Sequence, residues 1–218
     1  VTYTDTAGRR LEDYPRPSVA VDTAVLTVPP GGPLSVVLVR SEGEWRLPGT
    51  FLHQGEVLKQ AARRSLLDKA GIDGANPHQL RVYDAPERDD RGWVLSVAHY
   101  DAVRFGFLSI DPDLARIVPV AELGPLKYDH ASIVGRAVTQ LQRQYRRQPD
   151  PFGLLEEPFT LRDLQRLHEA VAEKELPRDT FRRTMEPYLS PTGRLQRGEI
   201  GKPAREFTSS ERRSEAGQ

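Results

Sequence analysis

The stretch from Gly49 to Ile72 constrains the fold most. It runs Gly49-Thr50-Phe51-Leu52-His53-Gln54-Gly55-Glu56, continues through a helical run, and closes with Arg64-Ser65-Leu66-Leu67-Asp68-Lys69-Ala70-Gly71-Ile72. Apolar Leu58, Ala61, Ala62, Leu66 and Leu67 recur at helical spacing, which predicts a helix over Val57 to Ala70 with one buried face. Gly71 suits its C-terminal cap, because the left-handed backbone there carries no Cβ penalty. Positions 65, 68 and 69 lie three and four residues apart and so share one helix face.

This outline resembles the Nudix box of nucleoside-diphosphate hydrolases. The box has a glycine, five residues, a glutamate, seven residues, and then Arg-Glu-apolar-x-Glu-Glu-x-Gly-apolar. With Thr50 at the opening position, Glu56, Arg64, Gly71 and Ile72 fall where the family has them. Where the family has three further glutamates, this chain has Ser65, Asp68 and Lys69. The resemblance implies that an active member holds magnesium on this face against a substrate diphosphate. Magnesium takes about six oxygen ligands at ~2.0–2.1 Å, polarises a phosphoryl oxygen and makes a water nucleophilic. Here one carboxylate is a hydroxyl, a second is a methylene shorter, and the third is a cation. The expectation is that no catalytic metal and no cofactor is required. Glu56 and Asp68 remain as weak ligands for one hydrated ion. Lys69 repels a divalent ion even if it only pairs with Asp68 or Glu56 on a solvated surface.

At 218 residues the chain predicts one large or two small domains. Thirty-one basic residues balance 31 acidic ones, so there is no global basic bias. Absent cysteine excludes disulfides, zinc-thiolate sites and cysteine nucleophiles. No signal-peptide core opens the chain, and no apolar run approaches the ~18 residues of a membrane span. A cytoplasmic, membrane-free protein is expected.

The chain order predicts an α/β protein: a mixed sheet sandwiched by helices, the Nudix α/β/α arrangement, over residues 18–150. Residues 1–17 read as a polar arm. Strands are expected at Val19–Val28, Leu34–Val39, Leu80–Ala85, Trp93–Val103 and Val118–Val120. Asp129 reads as the N-cap of a helix reaching about Arg147, with Ile133, Ala137, Val138, Leu141 and Tyr145 on one face. Gln148-Pro149-Asp150-Pro151 is a boundary candidate. Beyond it, Thr160 with Asp163 predicts a capping box for an amphipathic helix carrying Leu161, Leu164, Leu167 and Val171. Arg178 to about Glu186 reads as a second helix, with Phe181, Met185 and Tyr188 on its apolar side. A glycine-rich basic hairpin follows, which makes residues 151–207 a winged helix-turn-helix pattern. Residues 208–218 read as a flexible tail.

Positive charge gathers in this second unit. From Arg178 to Arg205, seven basic residues face three acidic ones. Such local charge in a neutral chain points to phosphate contact. Arg178, Thr180, Arg182 and Arg183 lie toward the start of the second helix, where recognition helices meet base edges. Arg194, Lys202 and Arg205 suit contacts from the wing. The plain alternative is a solvated basic face.

Both halves together resemble the Nudix-related transcriptional regulators of NAD metabolism. The residues that carry this are Tyr14-Pro15-Arg16-Pro17, the edited box, Tyr83-Asp84-Ala85-Pro86-Glu87-Arg88-Asp89-Asp90-Arg91-Gly92-Trp93, Tyr128-Asp129-His130-Ala131, Glu157-Pro158-Phe159-Thr160-Leu161 and Asp179-Thr180-Phe181-Arg182-Arg183. The resemblance implies a dimeric bacterial repressor on a palindromic double-stranded operator of NAD biosynthesis or salvage genes, released by ADP-ribose or a related ligand. Candidate ligand residues are Arg46, Glu56, Arg64, Lys69, Arg88, Arg91 and Trp93. Arg64 either grips phosphate or holds box carboxylates. Arg88 and Arg91 either reach the ligand or link domains. Trp93 either stacks on a base or joins the core. The competing readings are an active Nudix hydrolase using Glu56, Asp68 and carboxylates outside the box, and an adaptor with neither activity.

Overall fold

The computed structural model describes residues 3–196 and 203–209. Its spine is β1 (Ser18–Thr27), which pairs in parallel with β6 (Val94–Ala102) from Ser18↔Val94 to Leu26↔Ala102. β5 (His78–Tyr83) pairs antiparallel with the far edge of β6. On its other edge β1 takes two antiparallel partners. β2 (Ser35–Ser41) pairs at Leu26 and Thr27, and β4 (Gly49–Phe51) pairs at Ala20 to Asp22. β3 (Glu44–Arg46) and β7 (Ala115–Pro119) flank β2, completing a seven-stranded mixed sheet.

Strand alternation splits the core between two helices. Val21, Val25, Val37 and Val39 point toward α1 (Leu58–Ala70) and its Ala61, Ala62, Leu66 and Ala70. Ala24, Leu26, Val36 and Leu38 point toward α2 (His130–Tyr145) and its Ile133, Val134, Ala137, Val138 and Leu141. The expected α/β/α sandwich is present. The strand expected at Leu80–Ala85 lies two residues earlier, and of Val118–Val120 only Val118 and Pro119 belong to the longer β7, while Val120 opens a 3-10 turn. The short strands β3 and β4 had no visible periodicity.

The box helix ends as expected. Gly71 has φ 64°, and its N–H donates to the Leu67 carbonyl oxygen. Its buried face differs, however. Leu67 is 51% exposed, whereas Ser65 is 2% exposed and its Oγ has no partner. The run from Ser65 to Leu67 offers apolar and polar residues to two adjoining faces, and tertiary packing selected the face holding Ala61, Ala62, Ser65 and Leu66.

The second unit holds β8 (Phe159–Thr160), α3 (Leu161–Ala172), α4 (Arg178–Met185), β9 (Leu189–Gln196) and β10 (Ala204–Ser209), with strand order β8-β10-β9. The Thr160–Asp163 capping box forms, each side chain taking the other's backbone N–H. Phe159, Leu164, Phe181, Met185, Leu189 and Phe207 make the core. Tyr188 is exposed, because a 3-10 turn over Glu186–Tyr188 rotates it away from Phe181 and Met185. Thr208 and Ser209, expected in the tail, pair with Ser190 and Leu189 instead. The rest of the tail, Arg197 and Lys202 lie outside the described residues.

The two units pack through α2. Leu167 and Val171 of α3 join the core around Leu141 and Tyr145. Gln142 Nε2 donates to the Val171 carbonyl oxygen at 3.1 Å. Buried Asp150 accepts from Tyr145 Oη and from the Leu154 and Leu155 N–H groups.

Candidate functional site

A cavity of 240 Å³ opens where β1 exchanges β4 for β2, and its lining includes Asp22, Glu42, Arg46, Gly49, Lys69, Arg88, Asp89, Arg91, Tyr128 and His130. Asp22 pairs with Gly49 across β1 and β4. A Cβ at Gly49 would collide with the Asp22 carboxylate and lie 3.0 Å from the Val21 carbonyl oxygen, so only glycine fits.

Asp22 anchors a buried polar network. It accepts from Ser96 Oγ at 2.5 Å and from His130 Nε2 at 3.3 Å. His130 Nδ1 in turn accepts the Leu47 N–H at 3.1 Å. Arg88, with a side chain 3% exposed, lies 3.9 Å from Asp22 and donates from Nε to Asp129 Oδ2 at 2.7 Å. Burial alone would raise the Asp22 carboxyl. The hydrogen bonds and charges of His130, Ser96 and Arg88 outweigh it and hold it below the usual carboxylate range.

Arg91 grips Asp89 with two hydrogen bonds, 2.9 and 2.8 Å, and so lowers the Asp89 carboxyl. The Arg91 guanidinium lies 5.2 Å from the Phe51 ring centroid and 5.3 Å from that of Tyr128, a cation–π arrangement on both. Arg46 donates to the Ser41 carbonyl oxygen and to Glu42, but its buried Nε–H has no partner. Lys69 donates from Nζ to the Gly49 carbonyl oxygen. Burial pushes the Lys69 ammonium below the usual lysine range; Asp22 opposes this, while Arg46, Arg64 and Arg91 add to it.

Of the residues singled out from sequence, Arg46, Lys69, Arg88 and Arg91 therefore meet in one cavity. Three do not. Arg64 takes its structural alternative: it donates to both Glu56 oxygens, to Thr50 Oγ1 and to the Phe51 carbonyl oxygen. Glu56 is consumed by that pair and by the His53 N–H, which drive its carboxyl down to about 2. Trp93 is 51% exposed just before β6, neither in the core nor in the cavity. Positions 65, 68 and 69 do not act as one face: Ser65 is buried, Asp68 is exposed and only Lys69 reaches the cavity. Lys69 pairs with neither Asp68 nor Glu56. Asp129 gives no side-chain cap to α2; its carboxylate is on Arg88. Sequence reading missed Asp22, Ser96 and His130. The one local signal was an acidic residue inside an otherwise apolar strand, which a soluble core admits only when partnered.

On the second unit, α4 buries Phe181 and Met185 and exposes Arg178, Thr180, Arg182 and Arg183. Arg182 is already engaged: its Nε donates to Glu186 at 2.7 Å. Arg194 and Arg205 are exposed on β9 and β10. A basic helix beside a two-stranded wing has the shape of a groove-reading module.

The comparisons follow this division. Residues 17–139 match the NUDIX domain, and residues 151–208 match the NrtR DNA-binding winged helix domain. The ADPR responsive transcriptional repressor NtrR of Acinetobacter baylyi is 30% identical over 185 residues, 79% of this chain and 74% of its own. The chain belongs to the NrtR family. Shewanella oneidensis NrtR, solved in complex with a 27mer DNA, superposes with a TM-score of 0.74 at 29% identity, covering 88% of this chain and 93% of that one. The Nudix domain of the same S. oneidensis protein, solved with ADP ribose, superposes with a TM-score of 0.54 at 25% identity, over 62% of this chain and 95% of that one. Among the described residues, no helix is long and apolar enough to cross a membrane.

Proposed function

We propose that this NrtR-family chain is an ADP-ribose-responsive transcriptional repressor of NAD biosynthesis or salvage genes, acting in the cytoplasm as a homodimer on a palindromic operator. Residues 18–150 sense the ligand and residues 151–207 bind DNA. The observation that carries the reading is a cavity with four basic side chains, one keeping a buried unpaired N–H, on a Nudix domain joined to a basic winged helix. Arg46, Lys69, Arg88 and Arg91 meet the ligand's diphosphate. At 240 Å³ the cavity falls below the roughly 300–1,000 Å³ of sites that enclose a whole ligand. It holds the charged part, and the remainder lies over Phe51 and Tyr128. Ser65, Asp68 and Lys69 in place of box glutamates leave binding without hydrolysis.

Helix α2 connects the two ends. Its 16 residues span about 24 Å. Asp129 and His130 at its start touch Arg88 and Asp22, while Gln142 and Tyr145 at its end touch α3 and Asp150. Two recognition helices must sit about one DNA turn apart, ~34–36 Å between half-sites. A ligand releases DNA only by binding the dimer with the wrong spacing more tightly. A thousandfold loss of operator affinity requires roughly 4 kcal/mol of coupling.

Gel shift on the upstream region of the chain's own operon, with and without ADP-ribose, tests the reading. Specific binding lost on adding ADP-ribose is expected. Binding no tighter than to random DNA at physiological salt would overturn it. Magnesium-dependent release of AMP and ribose phosphate at ordinary enzymatic rates would restore the hydrolase.

A further inference from the structure

A Nudix fold implies a divalent cation between protein and diphosphate, and the residues present do not fit one. Among the described residues no group of three or more histidine, aspartate or glutamate side chains is placed to hold a metal. Each carboxylate lining the cavity has its own donors: Asp22 has Ser96, His130 and Arg88, Glu42 has Arg46, and Asp89 has Arg91. In the box itself, Arg64 and the His53 N–H hold Glu56, and Asp68 lies outside the cavity.

Lys69 stands apart from the other cavity cations. Arg46, Arg88 and Arg91 each face a carboxylate within 4 Å. Lys69 donates to a neutral backbone carbonyl, that of Gly49. An ammonium carries three N–H donors, so two remain for a ligand. Its charge also excludes a second cation from the same space.

We propose that the Lys69 ammonium takes the place of the divalent cation, so that the cavity binds its diphosphate ligand free of metal. This rests on the ligand reading above. It adds that the ligand is selected as the metal-free anion, and that Lys69 sets this selectivity. Changing Lys69 back to a carboxylate opens the space to a divalent ion and removes the counter-charge in one step.

Calorimetry of full-length protein with ADP-ribose, in EDTA and in excess magnesium, tests this, with manganese binding followed by electron paramagnetic resonance. Wild-type affinity is expected to agree within about twofold between the two conditions, with no manganese bound. Losing a charge-assisted hydrogen bond should weaken metal-free binding about tenfold or more in both Lys69→Glu and Lys69→Gln. Magnesium should recover affinity in Lys69→Glu alone. Lys69→Gln keeps the stem and guards against misfolding of the charge-reversed variant. Wild-type binding that requires magnesium, or wild-type affinity in both variants, would overturn the proposal and leave the ligand reading standing. No binding of ADP-ribose under either condition would overturn the ligand reading itself.

Discussion

Replacing His168 with glutamine measures what a buried neutral imidazole does at the junction of the two units. The ring lies 5.1 Å from Tyr145 of α2 and 4.9 Å from Phe181 of α4, both edge-on. Its Nε2–H donates to the Pro149 carbonyl oxygen at 2.6 Å, so an added proton goes to Nδ1. Burial disfavours that charge and pushes the imidazole down to about 4, with the Pro149 carbonyl opposing only partly. An unfolded histidine titrates near 6.5. Between the two values the unfolded chain holds a proton that the folded chain lacks. Stability from this group is therefore fully present above about pH 6.5 and falls as pH drops to about 4. At about 1.4 kcal/mol per pH unit, the whole loss is roughly 3 kcal/mol. Glutamine keeps a donor toward Pro149 and does not titrate. Urea unfolding at about pH 7 and about pH 4.5 should show the wild type losing about 2.5 kcal/mol relative to His168→Gln. Other acid-sensitive groups cancel in the difference. A difference constant to about 0.5 kcal/mol would refute the burial argument.

Gly49→Ala should cost about 1–3 kcal/mol in thermal or urea unfolding, because its Cβ displaces the Asp22 carboxylate; unchanged stability together with unchanged ADP-ribose affinity would show that β4 yields freely. Arg182→Ala should weaken operator binding and reduce the salt slope by about one, with ligand affinity unchanged. Equal loss of both would indicate misfolding. Glu186→Gln should tighten DNA binding, since it releases the Arg182 guanidinium from its carboxylate partner in the turn after α4; filter binding at several salt concentrations checks both, and a weaker Glu186→Gln complex would count against Arg182 as a phosphate contact.

Elements with strong local signals were legible from sequence. The Thr160–Asp163 capping box, the Gly71 cap and the apolar face of α2 each depend on residues within a turn or two of one another. The misplaced features depend on distant partners. Asp129 has the right chemistry for a helix cap, but Arg88, 41 residues away, offered its carboxylate a charged partner. Trp93 is expected to open a central strand, yet it lies one residue before β6 and is half exposed. Ser65 and Leu67 are two positions apart on a helix; which of them is buried depends on how α1 is rotated against β1 and β2.

The sequence by itself determined that Ser, Asp and Lys stand at positions 65, 68 and 69, that a helical face precedes Gly71, and that basic residues concentrate between Arg178 and Arg205. Those are statements about which residues occur and at what spacing. Only the tertiary structure decided which charges meet. Asp22, Arg46, Gly49, Lys69, Arg88, Arg91 and His130 come from β1, β3, β4, α1, a loop and α2, and no periodicity relates them. The registers Asp22↔Gly49 and Asp22↔Ala98 bring them together. A slip of one residue would turn Asp22 from the α2 side of the sheet to the α1 side and separate it from His130.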